Sequence, residues 1–186
     1  NNQDTQYDFA VLVGDADLHK INLDKRGKSK TTFQLTANFI QTPSNGIFGN
    51  IDIKNLWLEN KEGAYNIGDI TLRSMNIAAK KYRIDLKSSF AEGSYSGTAP
   101  ITEFVKDLIG VSLKRELPAL FTDSSHKLKS NRYSMDFNFG NTRDILAWAL
   151  PGMYIADGTN LEAVLNDNGV KMAVCTDHTV IPIQYL

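Results

Sequence analysis

Phe33, Leu35, Ala37 and Phe39 alternate with Thr32, Gln34, Thr36 and Asn38. The same period of two returns in Tyr82, Ile84 and Leu86 against Arg83, Asp85 and Lys87, and in Tyr133, Met135, Phe137 and Phe139 against Ser134, Asp136 and Asn138. Successive side chains of a strand point to opposite faces, so this pattern specifies strands with one apolar face and one wetted face. Residues 7–13, 16–23, 170–174 and 180–185 are further expected strands, and "DKRGKSK", "TPSNG", "ENKEG" and "NDNG" supply the turns between elements. The spacing suggests an antiparallel meander. Two strands change phase: Ile51 and Ile53 share a face that Leu56 and Leu58 leave, and Tyr65 and Ile67 are out of step with Ile70 and Leu72. Bulges or sharp bends restore such a pattern, and both curl a sheet.

Two helices interrupt the strands. In "PITEFVKDLIGVSLKRELPALF", within a helix expected over 100–122, Ile101, Phe104, Val105, Leu108, Ile109, Leu113 and Leu117 fall at helical spacing, with Pro100 at the entrance and Pro118 at the end. The second, over 141–150, opens on Asn141 as a cap and closes before Pro151. Ile145, Leu146, Trp148 and Leu150 cover most of its circumference, which predicts that at least three of the four are buried against the apolar face of the sheet. Beyond it, "MYIADGTNLEAVL" reads as strand, turn at Asp157-Gly158, and strand.

With 186 residues, 42% hydrophobic and 22% charged, the chain is large enough for one core and has an ordinary globular composition. It reads as a single domain over 1–186: mainly β over 1–99, helix over 100–122, and β with the short helix over 123–186. The opening "NNQDTQ" lacks an initiator Met, and the chain is taken for a piece of a longer protein. A net charge of -1 provides no basic field for a phosphate backbone, so nucleic acid is not an expected partner.

No chemistry stands out. Cys175 is alone, which excludes an intrachain disulfide, and His19, His126 and His178 lie far apart. "CTDH" sets Cys175 and His178 on opposite faces of a strand, and "GDADLH" lacks the remainder of a calcium loop. Neither a nucleophile elbow nor a Gly-rich phosphate loop is present. The expectation is a non-enzymatic protein without metal or cofactor.

The order of pieces carries a family resemblance. "GNIDIKNLWLENKEGAYNIGDITLRS", "YRIDLKSSFAEGSYSGTAP", a helix ending "LPALF", and "NRYSMDFNFGNTRDILAWALPGMYIADGTNLEAVLND" follow one another as in the translocation and assembly module TamB of the AsmA-like superfamily, in its Bacteroidetes form. The resemblance runs from about Gly49 to Leu165, with Gly152-Met153 in place of a simpler spacer and Ala163 where glycine is expected. It implies an α+β, mainly β fold: a strongly curved antiparallel sheet, a taco-like trough, with two short amphipathic helices on its apolar face. It also implies a periplasmic location and an N-terminal helix in the inner membrane, absent from this sequence. The implied role is phospholipid transport between the two membranes, or outer-membrane protein assembly with a barrel partner. On this reading the groove that receives acyl chains is lined by Phe33, Leu35, Phe39, Ile51, Ile53, Tyr82, Ile84, Leu86, Tyr133, Met135, Phe137 and Phe139. One alternative is a module that binds protein partners through open sheet edges. A weaker one is a hydrolase or carbohydrate-binding module.

Overall fold

The structure, a computed structural model, describes residues 4–22, 24, 27–42, 46–78, 81–98, 132–166, 169–176 and 179–184. Ten strands occur in chain order: β1 (Thr5–Asp17), β2 (Ser29–Thr42), β3 (Gly46–Asn60), β4 (Gly63–Ala78), β5 (Lys81–Ser88), β6 (Ala91–Gly97), β7 (Tyr133–Phe139), β8 (Thr159–Asn166), β9 (Gly169–Thr176) and β10 (Thr179–Gln184). Each pairs antiparallel with its chain neighbour, giving one open sheet in the order β1 to β10. A helix, α1 (Arg143–Ala149), stands between β7 and β8. The helix expected over 100–122 lies outside the described residues. Among the described residues no helix is long and apolar enough to cross a membrane.

Two expected strands are not found. Residues 16–23 do not form a strand of their own, because β1 runs unbroken to Asp17 and the chain then turns. Asp17 drives that turn, its carboxylate accepting the backbone N–H groups of His19 and Lys20 at 3.1 and 3.2 Å. Met153 to Ala156 form no strand either; they lead irregularly to the turn at Asp157-Gly158, where Gly158 has φ 79°.

The register shifts where the alternation in the sequence breaks, and it does so in one line across four strands. The shifts fall at Val13/Ala16 in β1, Thr32/Gln34 in β2, and Ile53/Leu56 in β3 opposite Gly68 of β4. Asp15 and Asn55 adopt φ 52° and 53° there, and Gly68 adopts φ 80°. Such left-handed conformations suit Asn, Asp and Gly, and bulges bend and twist the strands that carry them. Asp69 pins the line at β3, accepting the N–H of Asn55 and an ammonium proton of Lys54, both at 2.9 Å. Lys30 pins it at β1 through Asp15, at 2.8 Å.

The Asn55 N–H and then Lys54 hold the Asp69 carboxyl below its ordinary pKa. A carboxyl whose folded pKa is depressed contributes stability above its unfolded pKa and loses that contribution as pH falls through the folded value. Acid urea titrations of wild type and Asp69→Asn are therefore expected to converge below the ordinary carboxylate range and to separate above it. Curves parallel across the whole pH range would show that Asp69 does not hold the bulge.

Beyond this line β4 outruns its neighbour: β5 pairs with it only from Ile70 onward, and among the described residues no strand flanks 63–69 on that side. Helix α1 fills the step. It packs against β4, where the carboxylate of Asp144 accepts the Asn66 N–H at 3.0 Å, while Ser89 Oγ donates to the Ile67 carbonyl at 3.2 Å. These bonds satisfy backbone groups that a β5 strand would otherwise meet. Ile67 is 2% exposed at this step, and Leu58 and Thr31 on the neighbouring strands are buried with it.

The helix is less buried than its composition predicts. None of its residues is fully buried; Ile145, Leu146 and Trp148 are half-buried and Leu150 is 51% exposed. It seals the side of one strand instead of lying between layers, so part of its apolar girth faces solvent. Its cap is Thr142 and not Asn141; the Thr142 hydroxyl makes no capping bond, donating instead to the Ile155 carbonyl at 3.0 Å.

Candidate functional site

Cross-strand register, rather than nearness in sequence, assembles the apolar face. Phe9, Ala37, Ile51, Leu72, Leu86, Gly93, Phe137, Leu161 and Val174 are successive Cα partners across β1 to β9. Directly opposite residues point to the same face. This row of apolar residues and one glycine is about 38 Å wide at ~4.8 Å per strand. Flanking rows place Leu35 opposite Ile53, Ile84 opposite Tyr95 and then Met135, Tyr82 opposite Gly97 and then Tyr133, and Ala91 opposite Phe139. Phe33 shares the face of Leu35 by alternation, and Phe39 stands opposite Gly49. All twelve residues predicted to line a groove thus share one face.

Eleven of the twelve are half-buried, and only Tyr133, at 2% exposure, is fully buried. Fully buried apolar residues of the row and its neighbours are mostly small, such as Ala37, Ala91 and Ala163, with Tyr95 the large exception beside Tyr133. The chain exposes 12208 Å². A compact globule of 20.7 kDa exposes about 8,900 Å².

Aromatic rings and glycines organise the face. Tyr7 stacks on Phe39 with centroids 4.8 Å apart, and Phe9 meets Phe39 edge-on at 6.1 Å. Phe48 and Tyr82, two strands apart, lean together over β4 to a centroid distance of 6.2 Å. Tyr95 and Tyr133 lie 6.0 Å apart. Gly49, Gly93 and Gly97 each face an aromatic: a Cβ on Gly49 would sit 2.7 Å from Phe39 Cβ, one on Gly93 2.7 Å from Phe137 Cδ1, and one on Gly97 2.7 Å from Tyr133 Cδ1. At Gly97 the rings of Tyr95 and Tyr133 occupy the space that a side chain would need, whereas at Gly49 and Gly93 the backbone of the paired strand, at Asn38–Phe39 and Asp136–Phe137, comes first.

Sequence reading overlooked part of this surface. Tyr7, Phe9 and Val11 of β1, Ile70 and Leu72 of β4, and Leu161 and Val174 of the last strands join the same face. The alternation of β1, the phase break before Ile70, and the small residues of "AEGSYSG" were the available signals.

The opposite face is polar. A concavity of about 610 Å³ there is bordered by Arg73, Arg83, Asp85, Lys87, Glu92 and Asp136. Arg83 Nε lies 2.8 Å from Asp85, and Asn160 donates to Asp136 at 3.0 Å. Its charges neutralise one another, and its chemistry differs from that of the apolar face. Cys175 is half-buried, paired in register with Asn160 and Val180. His19 Nδ1 lies 3.0 Å from the Asp24 carbonyl oxygen, while His126 and His178 lie outside the described residues. The apolar face offers aliphatic, aromatic and thioether surface, hence dispersion and hydrophobic contact without charge. The chain matches no protein-family model, no curated protein and no solved structure.

Proposed function

We propose that the apolar face is a trough that accommodates phospholipid acyl chains, and that the chain is a non-enzymatic segment of a cell-envelope protein of the TamB type. On this reading the longer protein is periplasmic, anchored in the inner membrane, and carries phospholipid between the inner and outer membranes or takes part in outer-membrane protein assembly with a barrel partner. The observation that carries the reading is the continuous apolar row across nine strands, whose large side chains are only partly buried. In an ordinary antiparallel sheet that face would be closed by a second layer. The line of bulges across β1 to β4 supplies a means of bending the sheet around a ligand, and the serial order of sequence elements supports the family assignment.

Acyl contact over about 400 Å² gains roughly 10 kcal/mol before ordering costs, at ~25 cal/mol/Å². Headgroup selectivity is expected to be low, because no charged side chain is among the described residues of the face. Gently purified protein is expected to retain phospholipid in native mass spectrometry, and Phe137→Asp to lose it. Phe137 is partly exposed in the row, so a carboxylate there can reach water in the empty protein but is driven against hydrocarbon in the loaded one. Equal lipid retention by folded wild type and Phe137→Asp would remove this stretch from the trough.

A further inference from the structure

The bonds that hold the segment between β7 and β8 gather at its two ends. At the entrance the N–H groups of Gly140 and Asn141 donate to the carbonyls of Phe90 and Ser89 at 3.0 and 3.2 Å, and at the exit Gly158 donates to the Phe139 carbonyl at 2.7 Å. The buried Thr142, at 4% exposure, ties the ends together through its hydroxyl on the Ile155 carbonyl, 13 positions away. A closed base under a short, compact body is the plan of an Ω-loop. The body is attached differently. The Asp144 bond to the Asn66 N–H lies in solvent, and Ile145, Leu146 and Trp148 are half-buried. Beyond them Leu150, Met153 and Tyr154 are 51%, 55% and 81% exposed around a Pro-Gly turn that the Met153 N–H closes on the Leu150 carbonyl. Docking the body on β4 therefore removes part of its apolar surface from water, and the gain is correspondingly partial.

We propose that residues 143–154 are a strap that detaches from β4 while its base stays closed. Regions that open below the free energy of global unfolding are those with few buried apolar contacts and exposed hydrogen bonds, and the strap combines both features. Once off the sheet α1 does not persist as a helix, because its 7 residues fall well short of the length at which isolated helices hold in water. Detachment uncovers Ile67, 2% exposed beneath it, together with the N–H of Asn66. Ile67 lies two residues beyond Tyr65, which is opposite Leu58, which in turn is opposite Thr31. This line continues the face of Phe33 and Leu35 past the bulges. Opening thus lengthens the apolar face at the end that α1 covers. The strap's opening is a property of the chain itself and does not depend on the lipid reading.

Native-state hydrogen exchange on the whole chain reads the opening. The amides of Asn66, Leu146 and Leu150 should exchange together, roughly 10-fold or more faster than those of β6, which has a strand on each side, and with a smaller denaturant slope than global unfolding. Gly140 and Gly158 should stay protected while the strap opens, because their bonds belong to the base. Asp144→Ala removes the charged acceptor and should speed exchange at Leu146 and Leu150 roughly 10-fold, whereas Asp144→Asn, which keeps an acceptor for the Asn66 N–H, should speed it less. Unchanged exchange in β6 verifies that both variants fold. If Asn66, Leu146 and Leu150 exchange only at the rate of β6, the strap is a fixed part of the sheet and the proposal is overturned. Loss of protection at Gly140 and Gly158 in step with Leu150 would mean that the segment unfolds from its root, which overturns it equally.

Discussion

Gly93→Val is expected to be among the most damaging single changes in the sheet, costing about 3 kcal/mol or more, at the upper end of overpacking effects. Gly93 sits in β6 between Leu86 of β5 and Phe137 of β7. A Cβ there would overlap the Asp136 carbonyl oxygen and come within 2.7 Å of both Phe137 Cα and its ring. A ring can swing aside, but two of those atoms are backbone atoms of the paired strand, so relief requires the β6–β7 ladder to open. Small domains hold only about 5–15 kcal/mol in total, so a lost ladder threatens the fold. Gly14→Ala provides the control, because nothing lies within 4 Å of a Cβ at that position. Urea melts are expected to separate the two variants widely. A Gly93→Val midpoint close to that of wild type would mean that β6 and β7 are not paired in this register.

The second large effect is expected at the step between β4 and β5. Ile67→Ala should cost about 3 kcal/mol, within the range for truncating a buried aliphatic side chain. At 2% exposure Ile67 has no water to fall back on, and its own carbonyl is tied to Ser89 while its neighbour Asn66 is tied to Asp144. A cavity at this point loosens the helix and the free length of β4 together. Trp148→Ala, despite its larger volume loss, should cost less, about 2 kcal/mol, because the indole is only half-buried and a cavity open to solvent is not a void. The reverse ranking of the two midpoints would show that α1 is held by its tryptophan and not by the strand it covers.

These two sites show how far residue types alone can be read. The strands announce themselves because alternation has a period of two whatever the neighbour, and the phase breaks before Leu56 and Ile70 appear in the same signal, since a bulge adds a residue to one strand and moves every later side chain to the other face. The twelve residues proposed as groove lining fell on one face for the same reason. Helix α1 was legible as a helix through its spacing and Pro151, but its burial was not. An apolar circumference states that a helix prefers to leave water; it does not state how much surface the rest of the chain can place around it.

What the sequence by itself determined is the side of each strand that avoids water and the positions at which that side changes, because both follow from local stereochemistry. What only the tertiary structure decided is which strands stand together. Register joined Phe9 to Val174 in one row, and a difference in length between β4 and β5 created the step that α1 fills. These depend on hydrogen bonds between residues up to 78 positions apart, as between Asn66 and Asp144. A backbone N–H is the same chemical group in every residue but proline, so its choice of partner is written in the fold and not in the residue that carries it.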